Sequence, residues 1–187
     1  MAQPSPVEII EAQIRECFGR VAWSHKTQEK CADILLARQN TIKIWQIILS
    51  AVTTTGILVA VFGKNEVIGI ISAVISTILL VLNTITKNYD LGGSSQKHAA
   101  SASHLWNVRE KYLSLLTDIR SSSITMEEIK KRRDDLQEQL YSVYKGSPRT
   151  ISKAYKEACT ALKKNEELTF SDAEIDAFLP SQLRKSK

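Results

Sequence analysis

The sequence predicts an all-α membrane protein, made of a two-helix transmembrane hairpin and a cytoplasmic helical bundle. Three observations predict it: two long uncharged apolar runs separated by four residues, charges that fall at the ends of those runs, and helical periodicity with no strand pattern elsewhere. Residues 44–62, "IWQIILSAVTTTGILVAVF", and residues 67–86, "VIGIISAVISTILLVLNTIT", contain no Asp, Glu, Lys or Arg. At about 1.5 Å of rise per residue each would reach roughly 28 to 30 Å as a helix, close to the thickness of a hydrocarbon core. Lys43 and Lys64 bracket the first run, Glu66 and Lys87 bracket the second, and Trp45 sits where an interfacial aromatic does. The alternative is a pair of fully buried helices in a soluble protein. A chain of 187 residues leaves little mass to surround two such helices on all sides.

The connection "GKNE", residues 63–66, allows only a hairpin turn, so both termini lie on one side. Arg38, Lys43, Lys87 and Lys97 flank the outer ends, while the turn has Lys64 beside Glu66; the positive-inside rule therefore puts both termini in the cytoplasm. The opening "MAQPSPVEIIEAQ" lacks the basic-then-apolar pattern of a signal peptide. The expected layout is an N-terminal cytoplasmic helix over 1–43, a hairpin over 44–86, C-terminal cytoplasmic helices over 87–180 and a basic tail over 181–187. The net charge of +5 divides as +1 over residues 1–43, zero in the turn and +4 over residues 87–187. Nothing in that balance is strongly basic, so nucleic acid is not called for; membrane lipid around the chain follows from the two apolar runs. Cys17, Cys31 and Cys159 are too far apart for a zinc knuckle and read as reduced packing residues.

Outside the spans the 3.6-residue period dominates. Ile10, Ile14, Cys17 and Val21, and then Ala32, Leu35 and Leu36, mark one long helix feeding the first span. After the second span, "LGGSSQ" (residues 91–96) is expected to loosen or kink the chain, and a helix resumes with Leu105, Val108, Tyr112, Leu115, Leu116 and Ile119 on one face. Thr125 with Glu128 predicts a capping box and a helix to about Lys145, where "GSP" stops it. "TISKAYKEACTALKK" follows as another helix, and Ser171 with Glu174 caps a short last one closed by Pro180.

Catalytic chemistry has no foothold here. His25, His98 and His104 lack a metal-ligand spacing, and there is no glycine-rich phosphate loop or nucleophile elbow, so neither an enzyme nor a cofactor is expected. The run "KKRRDD", residues 130–135, reads either as a solvated helix face or as an anion contact. In the second case Arg132 and Arg133 would fork onto phosphate. Within the spans Gly69, Ser72, Ser76 and Asn83 fall on one side of a helical wheel, and Gln46, Ser50 and Thr53 form a matching stripe. Small and hydroxylated residues let membrane helices pack closely; the same residues could instead face water in a pore built by several subunits.

The order of parts carries a resemblance. A long helix, two spans on a tiny turn, then "NYDLGGSSQKHAASASHLWNVREKYLSLL" with His98 and Tyr112, "RDDL" at Arg133 to Leu136, Pro148 and "AY" at Ala154 and Tyr155 resemble the SLATT family. These are two-transmembrane effector domains of bacterial conflict systems. The resemblance implies a pore-forming membrane effector of the bacterial inner membrane in phage defence; because two helices cannot enclose a channel, that mechanism requires a homo-oligomer. The resemblance also implies a trigger from a nucleotide second messenger or a sensor protein. The competing expectation is a non-conducting adaptor that uses the hairpin as an anchor and binds a partner through its cytoplasmic helices.

Overall fold

A computed structural model describes residues 4–185, and among them it contains helices and turns and no strand. In chain order the helices are α1 (Pro6–Phe62), α2 (Glu66–Asn88), α3 (Leu91–Arg120), α4 (Met126–Gly146), α5 (Ser152–Lys163) and α6 (Asp172–Phe178), followed by a 3-10 turn at Ser181–Leu183. They form two units. Cys31–Ala99 is one, and the segments up to Lys30 and from Ala100 onward make the other.

In the Cys31–Ala99 unit, one residue joins the two long helices. The Asn65 N–H donates to the Ala60 carbonyl at 3.1 Å, closing the end of α1, while its side chain accepts from the Ile68 N–H at 3.2 Å and caps α2. Lys64 supplies the reversal with φ at 54°, a left-handed conformation unusual for a residue with a Cβ. The side chains withdrawn from the surface are Ile42, Gln46, Leu49, Thr53, Gly56 and Ala60 on α1, against Ile68, Ser72, Ile75, Leu79, Leu82 and Thr86 on α2. Both series step by four and three residues in alternation, the spacing of a seam between two supercoiled helices. A Cβ at Gly56 would land on Ser72 Oγ, so glycine sets how closely the backbones approach there. In the most apolar window of each long helix only 6 % of residues are buried. A soluble core helix would be enclosed; these two present their apolar surface outward, as a lipid-facing pair does.

The chain breaks at Tyr89 and Asp90, ahead of the glycines expected to loosen it, and "LGGSSQ" is the helical start of α3. The Asp90 carboxylate accepts from the Gly93 N–H at 2.8 Å, and Gly92 lies where any Cβ would strike the Gln39 amide. The glycines therefore serve close approach within a helix, and Ser95 Oγ fixes the same contact by donating to the Ala32 carbonyl at 2.8 Å. In this part of α1 the buried positions are Cys31, Ala32 and Ile34, whereas Leu36 is exposed.

The other unit is a conventional helical core. Ile10, Ile14 and Val21 of α1 meet Leu105, Val108, Tyr112, Leu115 and Ile119 of α3 and Ile129 and Leu136 of α4. Buried Ala154, Ala158 and Ala161 let α5 pack closely, and Trp23 of α1 sits 5.5 Å from Tyr155 with Lys163 over its ring. Thr125 accepts from the Glu128 N–H at 3.3 Å, but Glu128 turns to Arg132 at 3.2 Å, so half of the expected capping box forms. At Ser171 and Glu174 both halves are present. In the expected basic tail, Arg184 Nε donates to the Leu179 carbonyl and Lys185 pairs with Asp172 at 2.8 Å; residues 1–3 and 186–187 lie outside the described residues.

Two substitutions test this division of labour. Leu105→Ala, which empties a fully buried position, is expected to cost about 2–5 kcal/mol, and Thr125→Ala about 0.5–2 kcal/mol. Chemical denaturation followed by circular dichroism of the purified protein in detergent measures both, and membrane fractionation should find each variant still inserted.

Candidate functional site

Sequence reasoning put seven span residues on two matching polar stripes, one on each span, and the hairpin separates the members of each. At one end Gln46 Nε2 donates to Asn83 Oδ1 at 2.8 Å and to Thr86 Oγ1 at 3.0 Å. This clasp joins two of the expected residues and adds Thr86, which lies outside the arc of the wheel that holds the other α2 residues and whose hydroxyl also turns back onto the Leu82 carbonyl at 3.0 Å. Hydrogen bonds of this kind between membrane helices contribute roughly 0.6–2 kcal/mol each. Thr53 and Ser72 are buried in the seam, Thr53 with its hydroxyl oxygen unpartnered, and Gly69 lies 3.5 Å from the Ala60 methyl as measured from an ideal Cβ. Ser50, Ser76 and Asn83 are exposed.

Where the exposed residues point follows from helix geometry. Each residue advances about 100° around its helix, and the spans run antiparallel, so a rotation of the same sense away from the seam leads to the same side of the hairpin on both. On one side stand Ser50, Thr54, Ile57 and Val61 of α1 with Gly69, Ala73, Ser76, Leu80 and Asn83 of α2. On the other stand Trp45, Ile48, Val52 and Val59 with Val67, Ile71, Val74, Ile78, Val81 and Ile85, all exposed. The hairpin therefore has one side where small and polar residues mix with apolar ones, and another that is apolar but for Thr55 and mostly β-branched. Thr54 Oγ1 donates to the Ser50 carbonyl, Thr77 to Ala73 and Thr84 to Leu80 at 2.9 to 3.0 Å, so these hydroxyls are satisfied within their own helices.

The two arginines considered for anion contact are already engaged. Arg132 bridges Asp118 at 2.7 Å and Glu128 at 3.2 Å, tying α4 to α3. Arg133 pairs with Asp134 at 2.7 Å and donates to Gln13 of α1 at 3.3 Å. An incoming phosphate would have to displace carboxylates. Among the described residues no group of three His, Cys, Asp or Glu is arranged to hold a metal ion. Two histidines are buried instead. His25 packs with its Nε2 3.5 Å from Glu29, and its Nδ1 is unpartnered. Burial lowers its pKa below 6.5; Glu29 and Glu110 oppose this, while Arg109 and Lys26 add to it. Burial alone lowers that of His98.

The model of the SMODS and SLOG-associating 2TM effector domain family 4 matches residues 10–174, nearly the whole chain. The chain belongs to that family, which makes it a two-transmembrane effector domain. No curated protein and no solved structure matches it.

The histidines predict a pH dependence. With both imidazoles held below 6.5 in the folded chain, the unfolded chain takes up protons first as pH falls. Stability is thus complete above about pH 6.5 and declines below it until the folded groups also titrate. Melting midpoints in detergent should fall between pH 7.5 and pH 5.5, and His25→Gln should flatten part of that slope, His98 carrying the rest.

Proposed function

We propose that this chain is a pore-forming effector of a bacterial antiphage defence system. It self-associates in the inner membrane, with both termini in the cytoplasm, and permeabilises that membrane when a cytoplasmic partner or a nucleotide messenger signals. The observation that carries the reading is the sidedness of the hairpin. A monomeric anchor needs apolar surface all round, whereas here Ser50, Thr54, Gly69, Ser76 and Asn83 gather on one side, among Ile57, Val61 and Leu80, and the other side is apolar but for Thr55. Two helices cannot enclose a channel, so the small polar side must face other copies, the water they surround, or each in turn. Charge supports the orientation: Lys43 and Lys87 flank the open end of the hairpin. The family's association with SMODS and SLOG supports a signal arriving from outside the membrane. Such a signal works only by binding the open arrangement more tightly than the closed one. The adaptor reading keeps the hairpin as a passive anchor, and nothing about an anchor calls for two different sides.

Two experiments test the proposal. A cysteine at Asn65 should react with a membrane-impermeant maleimide on intact cells and one at Ser123 should not, with the unaltered chain as blank; the reverse pattern would sink the orientation. On induction, wild-type protein should depolarise cells loaded with a potential-sensitive dye. Ser50→Leu with Ser76→Leu should remove that response while insertion persists, and Val52→Leu with Ile78→Leu on the apolar side should leave it intact. Wild-type protein that never alters permeability would leave the adaptor.

A further inference from the structure

Two surfaces in the unit outside Cys31–Ala99 are unused by the chain itself, and they complement each other. The first is a groove of about 420 Å³ between α1 and α3, floored by Phe18, Leu113 and Leu116 and rimmed by Arg15, Arg120 and Glu11. Leu113 is 47 % exposed, and the Arg15 and Arg120 side chains are mostly in solvent, each sharing Glu11 at 3.7 to 3.8 Å. Apolar floor and two cations against one carboxylate leave a site that would accept an apolar group carried on an acidic helix.

The second surface is such a helix. α6 carries Asp172, Glu174 and Asp176, and its apolar residues face solvent: Phe170 is 61 %, Ile175 43 % and Phe178 83 % exposed. Phe170 precedes the cap and Ile175 lies one turn inside, the placement of a hydrophobic staple, which accounts for those two. It does not account for Phe178, a phenylalanine almost wholly in water at the end of a helix that buries nothing. The chain leading to α6 is anchored at Glu167, five residues before the helix, which pairs with Lys26 at 2.7 Å and Lys30 at 3.7 Å. Seven residues of helix are about 10 Å long, and the groove runs over a similar stretch of each wall, from Glu11 to Phe18 of α1 and from Leu113 to Arg120 of α3.

We infer that α6 of one copy docks in the α1–α3 groove of a neighbouring copy, with Phe178 on the Phe18, Leu113 and Leu116 floor and the α6 carboxylates beside Arg15 and Arg120. The occupant is a second copy because this chain itself supplies an uncovered helix of matching length and apolarity whose net charge is opposite to that of the rim, with Asp172 paired to Lys185. Within one chain the apolar side chains of α6 are exposed, so it does not fill its own groove. Groove and helix are different surfaces, which makes the contact head-to-tail; repeated, it closes a ring if the rotation per subunit allows. The inference rests on the oligomeric reading above and specifies how the copies join. Each contact is small, and it gains from the spans being held in the same membrane, where a second contact forms at high effective concentration.

Disulfide trapping in membranes of the full chain tests the geometry. A Leu113→Cys, Phe178→Cys double variant should give a ladder of dimers, trimers and higher species under mild oxidation. Co-expressed Leu113→Cys and Phe178→Cys single variants should stop at dimers, because each has one partner surface only. The unaltered chain, with Cys31 buried and Cys17 and Cys159 half-buried, is the blank. A faster-migrating monomer without a ladder would mean that α6 folds onto its own groove and would overturn the inference. So would a self-dimer of Phe178→Cys alone with no bond to Leu113→Cys. An amine crosslinker and the dye assay run in parallel: oligomers that depolarise without any cysteine ladder sink this contact and spare the pore, whereas absence of oligomers sinks both. As a second measure, Phe178→Asp should weaken assembly in detergent by at least tenfold, with unchanged helix content, while Phe178→Leu should retain it. Equal assembly by the two variants would also overturn the contact.

Discussion

Hydrocarbon cannot hydrogen-bond, and the design of the Cys31–Ala99 unit follows from that constraint. Every backbone amide in the spans must be met inside a helix, so the only irregular backbone between them is the reversal at Gly63 to Asn65. There Asn65 serves both helix ends with one residue. The threonine hydroxyls fold back onto carbonyls of the preceding turn. Gln46, whose amide has more capacity than its own helix can satisfy, reaches across to Asn83 and Thr86. Gly56 permits all of this by letting the backbones come together at Ser72. Left unmade, such polar contacts cost several kcal/mol each in lipid.

The other unit obeys a different solvent. Its stability comes from apolar burial around Ile14, Leu105, Tyr112 and Leu115, and it tolerates buried polar groups such as His25 because the charged form can be avoided by a lowered pKa. Burial pushes the Tyr112 hydroxyl up to about 12, with Cys17 contributing in the same direction, so it stays neutral in the core. Its surface is laced with ion pairs, several within one helix, which contribute little individually but bias α3, α4 and α1 toward one register.

Much of this was legible in the sequence, and the reasons differ by element. The spans and turn could be read because uncharged length and bracketing charges are nearly independent of tertiary context. The caps at Thr125 and Ser171 could be read because capping is local; that Glu128 would prefer Arg132 could not, since both partners were within reach. "LGGSSQ" misled because glycine signals either flexibility or close approach, and only Gln39, far upstream on α1, decides which. The polar stripe was found but not divided. A wheel shows that Ser72 and Ser76 share a side of α2; it cannot show that the α1 seam lies nearer Ser72, burying it and leaving Ser76 outside. The exposed Phe178 was invisible, because an apolar residue at the end of a short helix reads the same whether it is covered or bare.

The chemistry of the small polar side has a further consequence under the proposed reading. Leucine in place of its polar residues would favour lipid or a dry contact by a few tenths of a kcal/mol per residue, and an aspartate or lysine would favour water by about 2.5–3.5 kcal/mol. Summed over the copies of a ring, either choice would fix the assembly in one state. Serine, threonine and glycine lie between these limits: they pack closely when the side is covered and are solvated at little cost when it is wet. Asn83 is the most polar of the set, and it sits beside the Gln46 clasp, where an intramolecular hydrogen bond offsets its cost when water is absent. The two arrangements of such a side can then differ by only a few kcal/mol, which is the range in which the differential affinity of a signal can move the population from one to the other.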